Sequence, residues 1–321
     1  MAIVGGIAES AESAESAESA ATLSVGLGTR PGRPIGVSPQ VAPGPAVPGG
    51  PTWWPGHRWP PDGLPPWVNM PIPPLPPLTA LSPNGFLLQG GSAFPESAWG
   101  PDYFATVVLG DFVQVPGDGA VPAFADIALP PLPPPAGGPP STDSELAELD
   151  QLVYYRPSVL AEALAQNRAI LQYFSGILDF NLRSRPATVY LCTAAVRIAS
   201  FQAMHYKFKY DRARPSRLSP RLMPPIDPPG HAAYPSGHAT QARLIALCLE
   251  HVMPAAIVPA AAEQGPLRQM AARIARNREV LGLHYPSDSV AGKTLADRTF
   301  TPMIGLTRLT NVVAVARKEW A

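Results

Sequence analysis

The chain has 321 residues, 24 basic against 24 acidic, and no formal net charge. That length suits one large domain or two small ones, and the charge balance argues against a nucleic-acid protein working by bulk charge. The two cysteines, Cys192 and Cys248, sit in apolar helical contexts and read as small buried residues rather than as a disulfide or a zinc site.

No stretch reads as a membrane span, which needs roughly 20 mostly apolar residues. Arg197 interrupts the apolar run from Ala187 to Met204, and Glu250 and His251 interrupt the one from Leu244 to Ala262. The first residues carry neither the positive charge nor the apolar core of a secretory signal. The default expectation is a soluble, cytoplasmic protein.

Residues 9–20 repeat Glu-Ser-Ala, and the low complexity of 1–20 predicts disorder. Residues 21–140 hold about two-thirds of the 43 prolines. Runs such as 71–77 and 130–135 favour extended polyproline conformation. Trp53, Trp54, Trp59, Trp67 and Trp99 suit an arm that wraps a domain better than a free linker, because linkers rarely carry large apolar side chains. Tyr103 to Val115 reads as a strand pair or a short helix.

A helical region runs from 141 to 321. Ser141-Thr142-Asp143 offers N-caps, with Glu145 and Glu148 in the first turns. Beyond Pro157 one helical pattern extends to about Leu178, and a second runs from about Ala187 through Tyr210. After a loop, a helix opened by Pro235 reaches about Val252, another starts at Pro266, and a last one follows Pro286 to the C-terminus. About five helices joined by short breaks make an all-α bundle.

Three groups of residues lie at the ends of these helices. Lys207 and Arg214 are seven residues apart, two turns if the helix holds that far, and pair a point charge with a fork for gripping an oxyanion. Alone they also read as a solvated basic helix end, with Lys209, Arg212, Arg217 and Arg221 beside them. Ser236-Gly237-His238 would open a helix with main-chain N–H groups facing out, an anion site that glycine lets a ligand approach closely. Alone this is a simple N-cap. Arg278, His284 and Asp288 place a carboxylate where it can fix one imidazole nitrogen and leave the other free to act. Gly282 helps to end the helix that carries Arg278.

In order, Lys-x6-Arg-Pro, Pro-Ser-Gly-His and Arg-x5-His-x3-Asp resemble the signature of the type 2 phosphatidic acid phosphatase and vanadium haloperoxidase superfamily, over roughly residues 141–300. One departure is Asn277, where the third motif usually has serine. The resemblance implies a helical bundle of that type with a phosphate-sized pocket among its helix ends. Lys207, Arg214, Ser236, Gly237 and Arg278 would bind the non-reacting oxygens. In a phosphatase, His284 would attack phosphorus, Asp288 would orient it, and His238 would protonate the leaving group, with no metal or other cofactor and a small phosphorylated substrate. In a haloperoxidase, the pocket would hold vanadate on His284, and the partners would be peroxide and halide.

Gly282-Leu283-His284-Tyr285-Pro286-Ser287-Asp288 looks more like the phosphatases, whereas His231, five residues before Ser236, looks like the bromoperoxidase branch and its halide side. Taken alone, His231 is expected to be a solvent-exposed loop residue. The phosphatase reading ranks first and the haloperoxidase second. An inactive proline-rich interaction protein ranks third.

Overall fold

The computed structural model of the protein describes residues 99–117, 121–255, 258 and 262–321. The expectations for residues 1–20, for Trp53, Trp54, Trp59 and Trp67, and for the proline run 71–77 lie outside the described residues.

Proline punctuates the chain. It stands at the head of α1 (Pro101–Phe112), and α2 (Thr142–Leu152) follows with Ser141 as its N-cap, accepting from the Ser144 N–H at 3.2 Å. Next come α3 (Arg156–Arg168), α4 (Ile170–Leu178), α5 (Pro186–Tyr210), the single turn α6 (Pro215–Leu218), α7 (Gly237–Val252), α8 (Pro266–Val280), α9 (Pro286–Ile304) and α10 (Thr307–Glu319). Pro186, Pro215, Pro266 and Pro286 each occupy a first turn, where a missing N–H loses no bond. Among the described residues there is no strand, only an isolated bridge between Pro116 and Pro122. The fold is all-α, and no described helix is long and apolar enough to cross a membrane.

The helix α7 is buried nearly all round, as a helix enclosed by others is. It packs against α5, α8 and α9. Leu244 and Cys248 join one core with α1, α5, α9 and α10, while Ile245 and Leu249 join a second with α4, α5 and α8. Burying each such leucine or isoleucine contributes about 1.5–3 kcal/mol. Gly292 of α9 sits where α9 meets the first turn of α7: a Cβ there would stand 2.6 Å from the Ser236 carbonyl oxygen and 2.8 Å from Cβ of Ala239. The absence of a side chain at 292 sets how closely the two helices approach.

Three expectations change. Of the two readings of residues 103–115 the short helix is the one found, over Pro101–Phe112, and Phe104, Val108 and Phe112 are buried, with Phe104 edge-on to Tyr190 at 5.4 Å. The helical packing therefore begins before 141. The pattern beyond Pro157 divides at Ala169, whose φ/ψ of −151°/53° separates α3 from α4. The last pattern divides at Gly305 and Leu306, after Pro302, so the bundle has more and shorter helices than the five expected.

The part of the proline-rich region that the structure describes packs on the helices. Trp99 packs against the first core and accepts a hydrogen bond on its carbonyl from Tyr190. The Tyr206 hydroxyl accepts from the Ile127 N–H at 2.7 Å, and the Tyr234 hydroxyl donates to the Pro130 carbonyl. Both tyrosines neighbour candidate site residues.

Candidate active site

The site begins where α5 stops. Asp211, at φ 46°, ends the helix after Tyr210, so Lys207 and Arg214 are not two turns of one helix as the spacing suggested. They converge because the chain turns back: Arg214 is extended at φ −66°, ψ 148°, before Pro215, as expected of a residue preceding proline. Nor are they a solvated helix end, since Lys207 is 1% and Arg214 5% exposed. Both grip the segment that leads into α7. Lys207 Nζ donates to the carbonyls of Ala232 at 2.8 Å and Ala233 at 3.1 Å, and Arg214 Nε donates to that of His231 at 3.0 Å.

The helix α7 starts at Gly237, two residues after the Pro235 expected to open it. Ser236 is its N-cap, with Oγ accepting from the Ala239 N–H at 3.4 Å, and Pro235 precedes the helix. The Ser236 N–H does not face outward, because it donates to the Asp288 carbonyl at 2.9 Å. Gly237 and His238 are the first two helical residues, whose N–H groups have no acceptor within the helix.

The third group is set by a helix end. Gly282 takes φ 74°, its N–H bonds to the Glu279 carbonyl at 2.8 Å, and the Leu283 N–H bonds to that of Arg278 at 3.0 Å. This glycine-capped turn ends α8 and swings His284 round to the head of α9. Asp288, in the first turn of α9, accepts from the Tyr285 N–H at 3.0 Å and lies 3.0 Å from His284 Nδ1 through the same oxygen, Oδ2. His284 Nε2 is 3.1 Å from Arg214 Nη1. Arginine only donates, so Nε2 carries the lone pair and Nδ1 the proton, which goes to Asp288.

Two residues outside the motifs complete this arrangement. Arg212 Nη1 meets Asp288 Oδ1 and Ser287 Oγ, both at 2.7 Å, and Nη2 meets Glu145 Oε2 at 2.8 Å. Its guanidinium stacks on the Tyr285 ring at 3.6 Å, and Glu145 Oε1 accepts from the Ser287 N–H at 2.6 Å. On sequence, Arg212 was one basic residue among several and Glu145 a first-turn acid. No local signal marked either, because what joins them is the folding of α2 over the turn after α5 and the head of α9, through Glu145.

His231 is half-buried rather than solvent-exposed, with Nδ1 2.9 Å from Arg214 Nη2. Arg278, 1% exposed, turns its guanidinium to α3, donating to the Ala163 carbonyl and reaching Asn167 Oδ1 at 3.5 Å. The neighbouring Asn277 is tied to the same helix through Glu162 Oε1 at 3.1 Å and Gln166 Oε1 at 2.9 Å. The departure at 277 is thus a bond that seats the segment carrying Arg278.

The electrostatics follow from burial among cations. His284 lies well below the ordinary histidine range, first because it is buried and then because Arg214, Lys207, His238 and His231 surround it. Burial raises the Asp288 carboxyl above its usual range, with Arg212 and the Tyr285 N–H acting against that. The result is a neutral imidazole whose lone pair points at a guanidinium, beside a buried ammonium and a second histidine. Such a group can attack an electrophile carrying anionic oxygens, or ligate one. Lys207, Arg214, Ser236, His238, His284, Asp288 and His231 come together here, while the named contacts of Arg278 lie on the α3 side.

Among the described residues no cluster of histidine, cysteine or carboxylate side chains is arranged to hold a metal ion. No protein-family model matches the chain, and no curated protein matches it significantly.

Proposed function

We propose that the protein is a phosphatase of the type 2 phosphatidic acid phosphatase kind, hydrolysing phosphate monoesters through a phosphohistidine on His284. The observation that carries this is the lone pair of His284 Nε2 set 3.1 Å from the Arg214 guanidinium while Nδ1 is held by the buried Asp288. A phosphoryl group held by Arg214 and Lys207 would lie next to that lone pair, with the helix start at Gly237 offering further N–H donors.

In the first half of the reaction, Nε2 forms a bond to phosphorus as the bond to the ester oxygen breaks, and His238 gives that oxygen its proton. In the second half, His238 takes a proton from water, the hydroxide attacks phosphorus, and the bond to Nε2 breaks to release phosphate. Arg214 and Lys207 neutralise the charge carried by the equatorial oxygens in both steps. Arg278 joins them if its guanidinium reaches past Asn167 once an anion is bound.

The second reading is a vanadium-dependent haloperoxidase, which the contact of His231 with Arg214 favours. The same cations fit vanadate as they fit phosphate, with His284 Nε2 as its ligand, and vanadate when bound would supply the activation of peroxide.

The test is one metal-free preparation split in two. One half is assayed for hydrolysis of a chromogenic phosphate monoester with and without vanadate. The other is loaded with vanadate and assayed with peroxide and bromide. Hydrolysis that vanadate inhibits, without halogenation, is the expected result. Halogenation with feeble hydrolysis would reverse the order of the two readings, and neither activity would remove both.

A further inference from the structure

Asp288 is fully buried and accepts from His284, so whatever fixes that carboxylate also fixes the imidazole. A buried carboxyl that loses its ionic partner takes up a proton or turns to another donor. The protonated acid would let the Asp288–His284 bond reverse, with Nδ1 accepting and the imidazole proton moving to Nε2, and a carboxylate that turned away would no longer hold the proton on Nδ1. In that tautomer Nε2 has no lone pair to offer, as in acyl-transfer triads whose aspartate is replaced by asparagine.

Arg212 is built to prevent this. It meets Asp288 Oδ1, leaving Oδ2 to Tyr285 N–H and His284. Its other terminal nitrogen is held by Glu145, and its flat face by the Tyr285 ring. The side chains of Arg212, Glu145 and Asp288 are 8%, 6% and 0% exposed, so these bonds are made out of water, where a broken one is expensive. Glu145 comes from α2, Arg212 from the turn after α5, and Asp288 from α9, so three separate elements meet at one guanidinium. A surface staple would need neither the stacking nor the burial.

We propose that Arg212, held by Glu145, is a positioning residue that orients the Asp288 carboxylate and thereby holds, from the Nδ1 side, the tautomer with the lone pair on Nε2 that Arg214 favours from the other. Its effect on turnover rests on the phosphatase or haloperoxidase reading, but its effect on the imidazole does not.

The experiment uses the full chain with ¹⁵N-labelled histidine. Imidazole ¹⁵N shifts report which nitrogen of His284 carries the proton, with His284→Gln assigning the resonance. Arg212→Met removes the fork at similar length, Arg212→Lys keeps the charge, and Glu145→Gln loosens the support. The expected result is a protonated Nδ1 in wild type, a shift of the proton to Nε2 in Arg212→Met, and a return towards wild type in Arg212→Lys. Glu145→Gln falls between and serves if Arg212→Met does not fold. Under the phosphatase reading, kcat falls on the order of a hundredfold or more in Arg212→Met with KM little changed. An unchanged tautomer in a folded Arg212→Met or Glu145→Gln protein overturns the proposal, even if kcat falls, because a merely structural role would do that. If wild type shows no activity, the tautomer series still decides the role of Arg212, while the functional reading fails separately.

Discussion

Ser236 donates its main-chain N–H to the carbonyl of Asp288 at 2.9 Å, so the first turns of α7 and α9 are bonded to each other. One of those turns carries His238 and the other orients His284. The two histidines are therefore referenced to a single main-chain contact rather than to two independent helices.

Gly292 protects that contact. In Gly292→Ala the new methyl would stand 2.6 Å from the Ser236 carbonyl oxygen, a main-chain atom that cannot swing aside. Overpacking of this kind destabilises by about 1–3 kcal/mol, and here it also pries apart the two histidine-bearing turns. Denaturant unfolding should show the loss of stability. Turnover at a temperature where the variant is still folded should fall as well. A fully active variant would mean that the α7–α9 spacing does not set the site.

Asp288→Asn keeps the shape of the side chain but presents an amide N–H₂ as readily as an oxygen. The Arg212 guanidinium demands the oxygen, which leaves the N–H₂ facing His284 Nδ1 and forces the proton to Nε2. The expected outcome is loss of phosphoenzyme and a fall in turnover on the order of 10⁴-fold. His284→Ala should abolish phosphoenzyme outright, and rapid-quench labelling with a ³²P monoester reads both. Labelled protein in His284→Ala would remove His284 as the nucleophile.

The depressed proton affinity of His284 has a sign that can be checked. The folded protein holds the imidazole neutral below the ordinary value of 6.5, whereas the unfolded chain protonates there. The stability this contributes is complete above that value and is lost as pH falls below it, until the folded-state value is reached. Urea unfolding from about pH 7.5 down to about pH 5 should show wild type losing more stability than His284→Asn. Parallel curves would mean that burial and the neighbouring cations do not hold the imidazole neutral.

Arg278 has two duties to separate. Its buried guanidinium holds α3 through Ala163 and Asn167, so Arg278→Ala should destabilise the protein by about 1–3 kcal/mol through unsatisfied buried acceptors. If it also meets the anion, turnover falls on the order of a hundredfold or more, and phosphate protects the variant against heat less than it protects wild type. Lost stability with normal turnover would confine Arg278 to the α3–α8 contact.

Much of the helical layout was legible because proline and glycine speak locally. Pro266 and Pro286 announced helix starts, and Gly282 announced an end, each for a reason confined to its own backbone. Pro302 and Gly305 carry the same kind of signal for the α9–α10 break, against the single long helix that the pattern after Pro286 suggests. The break at Ala169 had no such mark, since alanine favours continuing a helix. Within the site, the pairing of His284 with Asp288 was readable from their four-residue spacing. The convergence of Lys207 and Arg214 was anticipated for a wrong reason, because a turn at Asp211 brings them together and not a shared helix face. Arg212 and Glu145 were invisible in their roles: they are 67 residues apart, and only the folded packing of α2 makes them partners.

The docking of α1 and of the 127–130 segment bears on where the chain can be shortened. A version starting at Ser141, the boundary that composition suggests, would strip Phe104, Val108 and Phe112 from the face of α5. It would also leave the hydroxyls of Tyr206 and Tyr234 to water. Two apolar surfaces would be uncovered, the face of α5 under α1 and the patch around Tyr206 and Tyr234, which stand next to Lys207 and two residues before Ser236 in the chain. Trimming by proline content would therefore yield an aggregation-prone fragment, whereas a cut placed before Trp99 leaves that covering in place.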